Sequence, residues 1–292
     1  MEQMELSRED FEKFSEYIRE ICGVFIREDK KYLIHQRLED LVRASGCDNF
    51  SDFYRKVALE TSPDLHERII AAITTHETSF FRDGHPFEAF KKHILPDLGA
   101  KIKRLKNAHK DKKTGRPKLR FWSAAAATGQ EPYSLAILIH EYAMANYFFG
   151  LSLDDFDILA TDVSSSVLAK AAAGSYNKVE ISRGLPSEIR DKYFHQDGNC
   201  WTVNKEVREM VQFKKINLAE SFGLLRSFDV VFCRNVLIYF DKETQKKLVD
   251  RLYDKLNRDG ILILGSSENL HGISTKFHQF SVGETFLYRK KE

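Results

Sequence analysis

The sequence predicts a two-part protein: a small all-helical unit, then an α/β unit on a doubly wound parallel sheet with a small antiparallel insertion. Three observations predict it. The first eighty or so residues hold no convincing strand, only apolar residues at helical spacing. From Leu119 onward, short strands of buried type alternate with helical stretches, as in a parallel sheet. Between Tyr193 and Phe213 that alternation gives way to short strands of antiparallel type.

In the first unit, Phe11, Phe14, Tyr17, Ile18 and Ile21 recur at helical spacing behind Ser7, which stands three residues before Asp10 as an N-cap. Tyr32, Ile34, Leu38, Leu41 and Val42 place a second helix that ends at Gly46, with Lys30, Lys31, Arg37 and Arg43 on it. Residues 50–59 and 65–73 read as two more helices. The hydroxyl-rich stretch from Thr74 to Asp83 is a break, so residues 1–83 form the helical domain. A helix is expected from Pro86 to about Leu98. Residues 101–118 carry nine lysines and arginines with only Ile102 and Leu105 as large apolar residues, which reads as a solvated helix end plus a flexible loop. Residues 84–118 are thus a connector.

Residues 119–292 form the sheet domain. Residues 119–123 are its first strand, followed by the small-residue turn 124–129 and a helix through Pro132 and residues 135–139. Residues 156–160 are the second strand, ending at Thr161-Asp162, with a helix over 165–173. Residues 199–203 and 210–213 are assigned to the antiparallel insertion at about 193–213. Residues 228–233 and 261–264 are further buried strands, separated by a helix over 242–256.

Composition narrows the function. With 42% hydrophobic and 30% charged residues and no long apolar run, the chain is not expected to insert in a membrane. Its start, residues 1–11, is acidic and polar and does not read as a secretory signal. Cys22, Cys47, Cys200 and Cys233 are scattered without a CxxC, so neither a metal site nor a disulfide framework is expected, and the cytoplasm is the expected compartment. A formal net charge of +2 gives no reason to expect nucleic acid.

Ligands of open α/β sheets bind beyond the carboxyl ends of the strands. Four features stand at such ends or beside them: the turn 124–129, Asp162, Asn217-Leu218 and Arg234-Asn235. A carboxylate at Asp162 can accept two hydrogen bonds from ribose hydroxyls. Singly, each has a plainer reading: tight packing for the turn, a helix cap for Asp162, a buried structural pair for Arg234-Asn235. Together they favour a nucleoside site. The turn holds one glycine, Gly129, and lacks the G-x-G-x-x-G of NAD enzymes, and no Walker loop is present.

Thr78-Ser79-Phe80-Phe81-Arg82-Asp83, Phe121-Trp122-Ser123-Ala124-Ala125 with Thr128-Gly129 and Glu131-Pro132-Tyr133-Ser134, Ala160-Thr161-Asp162, and Phe232-Cys233-Arg234-Asn235-Val236-Leu237-Ile238-Tyr239-Phe240-Asp241 resemble the CheR family of bacterial chemotaxis receptor methyltransferases. Gly265-Ser266-Ser267-Glu268 is similar to that family's last sheet strand. The resemblance runs in order through nearly the whole chain. It implies a Rossmann-like S-adenosylmethionine-dependent methyltransferase sheet, an inserted β-subdomain and a helical N-terminal domain. The implied activity is methyl transfer to glutamate carboxylates of methyl-accepting receptors, leaving S-adenosylhomocysteine. By position, Thr78 and Arg82 would contact the methionine part and Glu131 its ammonium. Asp162 would hold the ribose, and Asn217 and Leu218 would frame the adenine. Arg234 and Asn235 would line the methyl-donor end, with Tyr239 beside the methyl. Lys30, Lys31, Arg37 and Arg43 would face the receptor. Some relatives also tether to a receptor's C-terminal pentapeptide through a lengthened, glycine-containing hairpin loop; the turn 195–199 is short with one glycine, so no tether is expected.

Three positions depart from the family pattern. His76 stands where Asn is usual, Ala127 where Ser is usual, and Gln130 where Glu is usual. They motivate an alternative, a scaffold of the same fold that binds cofactor without methylating. A small-molecule or nucleic-acid methyltransferase on the same sheet is a further alternative.

Overall fold

The computed structural model of the chain describes residues 4–59, 63–108 and 116–291. Four helices make the first unit: α1 (Arg8–Cys22), α2 (Lys31–Ala44), α3 (Phe50–Leu59) and α4 (Pro63–Ile73). Ser7 caps α1, its hydroxyl oxygen accepting the Asp10 N–H at 3.0 Å, and Gly23 ends it in the left-handed conformation. The stripe predicted on α1 is the buried one: Phe14 and Ile18 are fully buried against Ile34, Leu38, Phe50, Phe53 and Ile69.

The connecting helix is longer than expected. α5 (His85–Ala89) passes through a π turn at Phe90–Ile94 into α6 (Leu95–Ala108). The described part of the basic segment is not a solvated end. Lys101 pairs with Asp229 at 2.6 Å, Lys106 and Arg116 with the fully buried Asp155 at 2.9 Å each, and Lys118 with Asp157 at 2.8 Å. A run of cations with few apolar neighbours looks solvated in sequence, and the aspartates that partner it are far along the chain. The loop expected over 109–115 lies outside the described residues.

The α/β unit then runs β1 (Leu119–Ala124), α7 (Gln130–Ala145), β2 (Phe156–Asp162), α8 (Ser165–Ala173), β3 (Ser175–Asn177), α9 (Lys178–Ser182), α10 (Ser187–Tyr193), β4 (Phe194–Asp197), β5 (Cys200–Val203), α11 (Lys205–Arg208), β6 (Val211–Lys215), β7 (Phe228–Cys233), α12 (Lys242–Lys255), β8 (Leu256–Leu264), β9 (Phe277–Val282) and β10 (Thr285–Lys290). The main sheet has the order β6-β2-β1-β7-β8-β10-β9, parallel from β6 to β8 and antiparallel at β10 and β9. Alternate residues face opposite layers. Phe121, Val230, Phe232 and Ile263 pack under α5–α7, whereas Trp122, Val231, Leu262 and Leu264 pack with Leu248 and Leu252 of α12.

Two strand assignments need correction. Residues 210–213 were expected in the antiparallel insertion, yet β6 is the parallel edge of the main sheet, pairing Ile158 with Val211 and Asp162 with Lys215. Half-exposed edge strands carry a polar alternation that reads as antiparallel. The small sheet is β3-β5-β4 and begins earlier, at Ser175. Residues 265–268 are a turn after β8, not the last strand. The sheet closes instead with the β9–β10 hairpin, whose mixed exposed faces left no buried-strand signal.

The chain leaves β1 toward β2 and β6 on one side, and toward β7 and β8 on the other. The strand order therefore reverses between β1 and β7, and the crevice belongs at their carboxyl ends.

Candidate active site

The segments that leave β1 and β7 are bent in an unusual way. Ala125 (φ 61°), Ala127 (φ 47°) and Asn235 (φ 56°) are all left-handed. So are Phe81 and Asp83 in the strap that joins the helical domain to α5. Each such residue costs on the order of 1–3 kcal/mol and persists only where surroundings impose it. Five of the six described non-glycine residues of this kind lie at this one place; the sixth, Asp259, is in β8.

Buried charge imposes much of that geometry. Arg234 is 6% exposed and donates through Nη1 to Glu131 Oε2 at 3.1 Å. Its Nη2 donates to the Arg82 carbonyl at 2.9 Å and to Asp83 Oδ2 at 2.8 Å. The other oxygen of Glu131 accepts the Ser123 hydroxyl at 2.7 Å, and the guanidinium lies over the Phe87 ring. Arg234 thus ties the end of β7 to the strap and to the start of α7, and through Glu131 to Ser123 of β1. Its buried Nε has no partner among the described residues. Asp162 accepts the Ala127 N–H at 3.0 Å and the Ser164 N–H at 3.1 Å, one on each oxygen, so each retains a lone pair. Asp162 therefore does hold the turn into α8, as the plainer reading had it, without using up its carboxylate.

These groups line one cleft of about 360 Å³. His76, Thr78, Arg82, Glu131, Asp162, Asn217, Leu218, Arg234, Asn235 and Tyr239 all border it, and so do Lys30 and Arg37. Lys31 and Arg43 do not. Arg43 pairs with Glu39 along its own helix at 2.7 Å. Arg37 is turned toward the strap, donating to the Ile73 carbonyl and to Thr75 Oγ1. Asn217 departs most from its expected role. Its amide nitrogen donates to the Ile21 carbonyl at 3.1 Å and to Glu220 at 2.8 Å, so both its hydrogens are engaged with the helical domain and its own loop.

The helical domain closes the cleft. Cys22, Val24, Phe25, Ile26 and Leu33 line it, and the Phe25 N–H donates to the Tyr239 carbonyl at 2.8 Å. Arg19 pairs with Asp241 at 2.8 Å. His76 is half-buried, and burial pulls its imidazole below the ordinary 6.5; Asp162 opposes that and Arg37 adds to it. The Thr74 hydroxyl already donates to Ile70 O, so His76 Nε2 must donate to Thr74 Oγ1, leaving Nδ1 as an acceptor. Sequence reasoning quoted Asp83 and Glu268 within the family-like stretches but gave them no role, and it missed Phe25, whose partner is a backbone atom distant in sequence.

A nucleoside-containing amino acid fits the donor set. Arg234 Nε and Arg82 suit a carboxylate, Glu131 an ammonium and Asp162 a ribose diol. Val163, Ile216 and Leu218 supply an apolar face for a base. Among the described residues, no cluster of three or more His, Cys, Asp or Glu could hold a metal.

Known proteins agree with this arrangement. The family model described as CheR methyltransferase, SAM binding domain, matches residues 76–286, and that described as CheR methyltransferase, all-alpha domain, matches residues 9–74. The chain is 35% identical over 289 residues to chemotaxis protein methyltransferase 1 of Pseudomonas aeruginosa, covering 99% of this chain and 100% of that one. It is 34% identical over 283 residues to chemotaxis protein methyltransferase Cher2 of Pseudomonas putida, covering 97% and 98%. It is 35% identical over 287 residues to chemotaxis protein methyltransferase 1 of Vibrio cholerae, covering 98% of each. With a buried arginine at the switch point, the SAM binding domain model spanning it and the all-alpha model matching the helical unit before it, this chain belongs to the CheR methyltransferase family and takes S-adenosylmethionine as its cofactor.

Proposed function

We propose that the protein methylates glutamate side chains of chemotaxis receptors, giving glutamate methyl esters. The observation that carries this reading is the charge distribution of the cleft. Lys30 and Arg37 line it together with Tyr239, whereas of its carboxylates Glu131 and Glu77 are paired with Arg234 and Arg183, and Asp162 is left for the ribose. An anionic side chain is therefore the substrate that the opening suits.

When bound, the cofactor supplies a methyl group on a positively charged sulfur. A glutamate is ionised at neutral pH, so the protein has no proton to remove and needs no base. What its residues must do is hold the carboxylate oxygen in line and keep water out. Val236, Phe240, Ile26 and Cys22 form the apolar lining near Tyr239. Tyr239 serves as a positioning hydroxyl, donating to the carboxylate, and its backbone is held by the Phe25 N–H. Arg234 fixes the strap over the methionine part, Thr78 and Arg82 contact that part, Glu131 faces its ammonium, and Asp162 takes the ribose. Asn217 and Leu218 frame the base, Asn217 through its backbone because its side chain is engaged.

Lys30 and Arg37, with Lys31 and Arg43 further along α2, are the receptor-facing cations of this reading. The β4–β5 hairpin turns through Gly198-Asn199 alone, which supports a protein without a pentapeptide tether. No described helix is long and apolar enough to cross a membrane. The cytoplasm is the compartment this reading assigns, because that is where the cofactor and the methyl-accepting part of a receptor meet. His76 and Gln130 keep side-chain hydrogen bonds, with Thr74 and Thr128, and Ala127 is held to Asp162 by its backbone N–H, so none of the three departures favours a non-methylating scaffold.

Incubation with radiolabelled S-adenosylmethionine and receptor-bearing membranes tests the assignment. Label on receptor that mild base releases as methanol is the expected result; base-stable label, or none, would sink it.

A further inference from the structure

Between β7 and α12 the chain makes a turn that carries Tyr239 and is buried or half-buried except at Ile238, and one side chain from beyond β8 organises it. Glu268 Oε2 accepts the N–H of Asn235 at 2.7 Å and of Gly265 at 2.8 Å. Its Oε1 accepts the N–H of Val236 at 2.9 Å and of Leu237 at 2.8 Å. Four backbone donors thus converge on one carboxylate. Successive amides that follow a left-handed residue form a concave anion site, and here the protein fills that site with its own anion. Those amides are therefore not available to a substrate carboxylate, which must be oriented by side chains instead.

The rest of the turn is held from other directions. Gln245 Nε2 donates to the carbonyls of Leu237 and Phe240, and Phe25 N–H donates to that of Tyr239. Among the described residues, only Glu268 holds the three amides where the turn begins, including that of the left-handed Asn235. It is not among the residues lining the cleft.

We propose that Glu268 is a positioning residue for methyl transfer: it sets the backbone of residues 235–237, and through it the place of the Tyr239 side chain. This rests on the assignment of Tyr239 above. Substituting Glu268→Gln keeps the shape but turns an NH2 toward two of the four amides, opposing donor to donor.

The full chain carrying E268Q tests this in two arms. In hydrogen exchange, peptides covering 235–240 should exchange faster while β7 stays protected; this arm does not involve the reaction. In kinetics, kcat should fall about tenfold to a hundredfold, because a displacement near 1 Å is enough. Cofactor affinity by calorimetry should change less than about threefold, since the lost geometry bears on transfer and not on ground-state binding. Gly265→Ala should give the same signature, because a Cβ there would come 2.8 Å from Glu268 Oε2 and from Asn235 N; it carries the test if E268Q does not fold. Unchanged exchange, a kcat within about twofold of the parent, or parallel loss of kcat and affinity would each overturn the proposal. If the parent enzyme labels receptor with a base-stable product, the glutamate assignment fails alone, and the ratio of variant to parent rates still decides the role of Glu268.

Discussion

The two walls of the cleft are built on different principles. The sheet wall consists of Glu131, Asp162 and Arg234, all under a tenth exposed and held by bonds of 2.7–3.1 Å to one another, to Ser123 behind them or to the backbone of Ala127 and Ser164. The opposite wall is made by the end of α1, by α2 and by the strap. Its polar residues, Lys30, Arg37, His76, Thr78 and Arg82, are half-buried or exposed, and the described side-chain hydrogen bonds of Arg37, His76 and Arg82 are to the strap or to the end of α4. One wall is preorganised before any ligand arrives; the other is a helical unit laid across it. The difference separates the labours: fixed charges suit the reacting groups, whereas a lightly held face can adapt to a large partner.

Four measurements can break or sharpen that contrast. The largest effect is expected from Arg234→Met, which strands Glu131 and Asp83 without their cation. Removing one member of a buried pair costs about 3–5 kcal/mol. Urea unfolding should show that loss, and calorimetry should show cofactor binding abolished. A loss under about 1 kcal/mol would mean that the sheet wall is not held by this network.

Next comes Tyr239→Phe. Methyl transfer should slow about tenfold to a hundredfold with cofactor affinity nearly intact, since one positioning bond is lost and no wall group is touched. Equal loss in both would move Tyr239 from the transfer step to the cofactor site.

On the adaptable wall, Arg37→Glu should raise the receptor concentration for half-maximal rate roughly fivefold at low salt, an effect that fades as salt is added. Arg43→Glu should do less, because Arg43 is paired with Glu39 and lies away from the cleft lining. If receptor dependence is the same for both variants and the parent, α2 is not the docking face.

The smallest effect concerns pH. Burial lowers the His76 pKa, so the unfolded chain binds its proton first as pH falls. The corresponding stability is present above about 6.5 and is lost progressively as pH drops through the lower folded value. Cofactor affinity should weaken in the same direction, because an imidazolium beside Arg37 adds positive charge next to a cationic ligand. His76→Asn should flatten both profiles below pH 6.5, measured by unfolding and calorimetry at pH 5 to 8. A slope that survives the substitution belongs to another group.

How far the chain could be read in advance depended on burial. β7 was read to the residue because all six of its positions are buried and five of them are apolar, Asp229 being the exception. β9 and β10 escaped notice because their exposed faces are polar and mixed. α6 looked like a frayed basic end because Asp155, Asp157 and Asp229, its partners and its neighbours' partners, are tens of residues away. In the cleft, strand-end position marked Asp162, Arg234 and Asn235. Nothing local could show that the Asn217 side chain is engaged with Ile21, or that Glu268 gathers amides some thirty residues earlier.

By itself, then, the sequence determined the helical unit, the alternation that makes a parallel sheet, and the residues set at its carboxyl ends. Those follow from periodicity and from chain order, both of which are properties of neighbouring residues. Only the tertiary structure decided that β6 joins the main sheet, that one buried guanidinium links β1, β7 and the strap, and that the helical unit supplies the second wall. Such contacts join atoms that are remote along the chain, and which of them form is settled by desolvation and packing of the whole molecule.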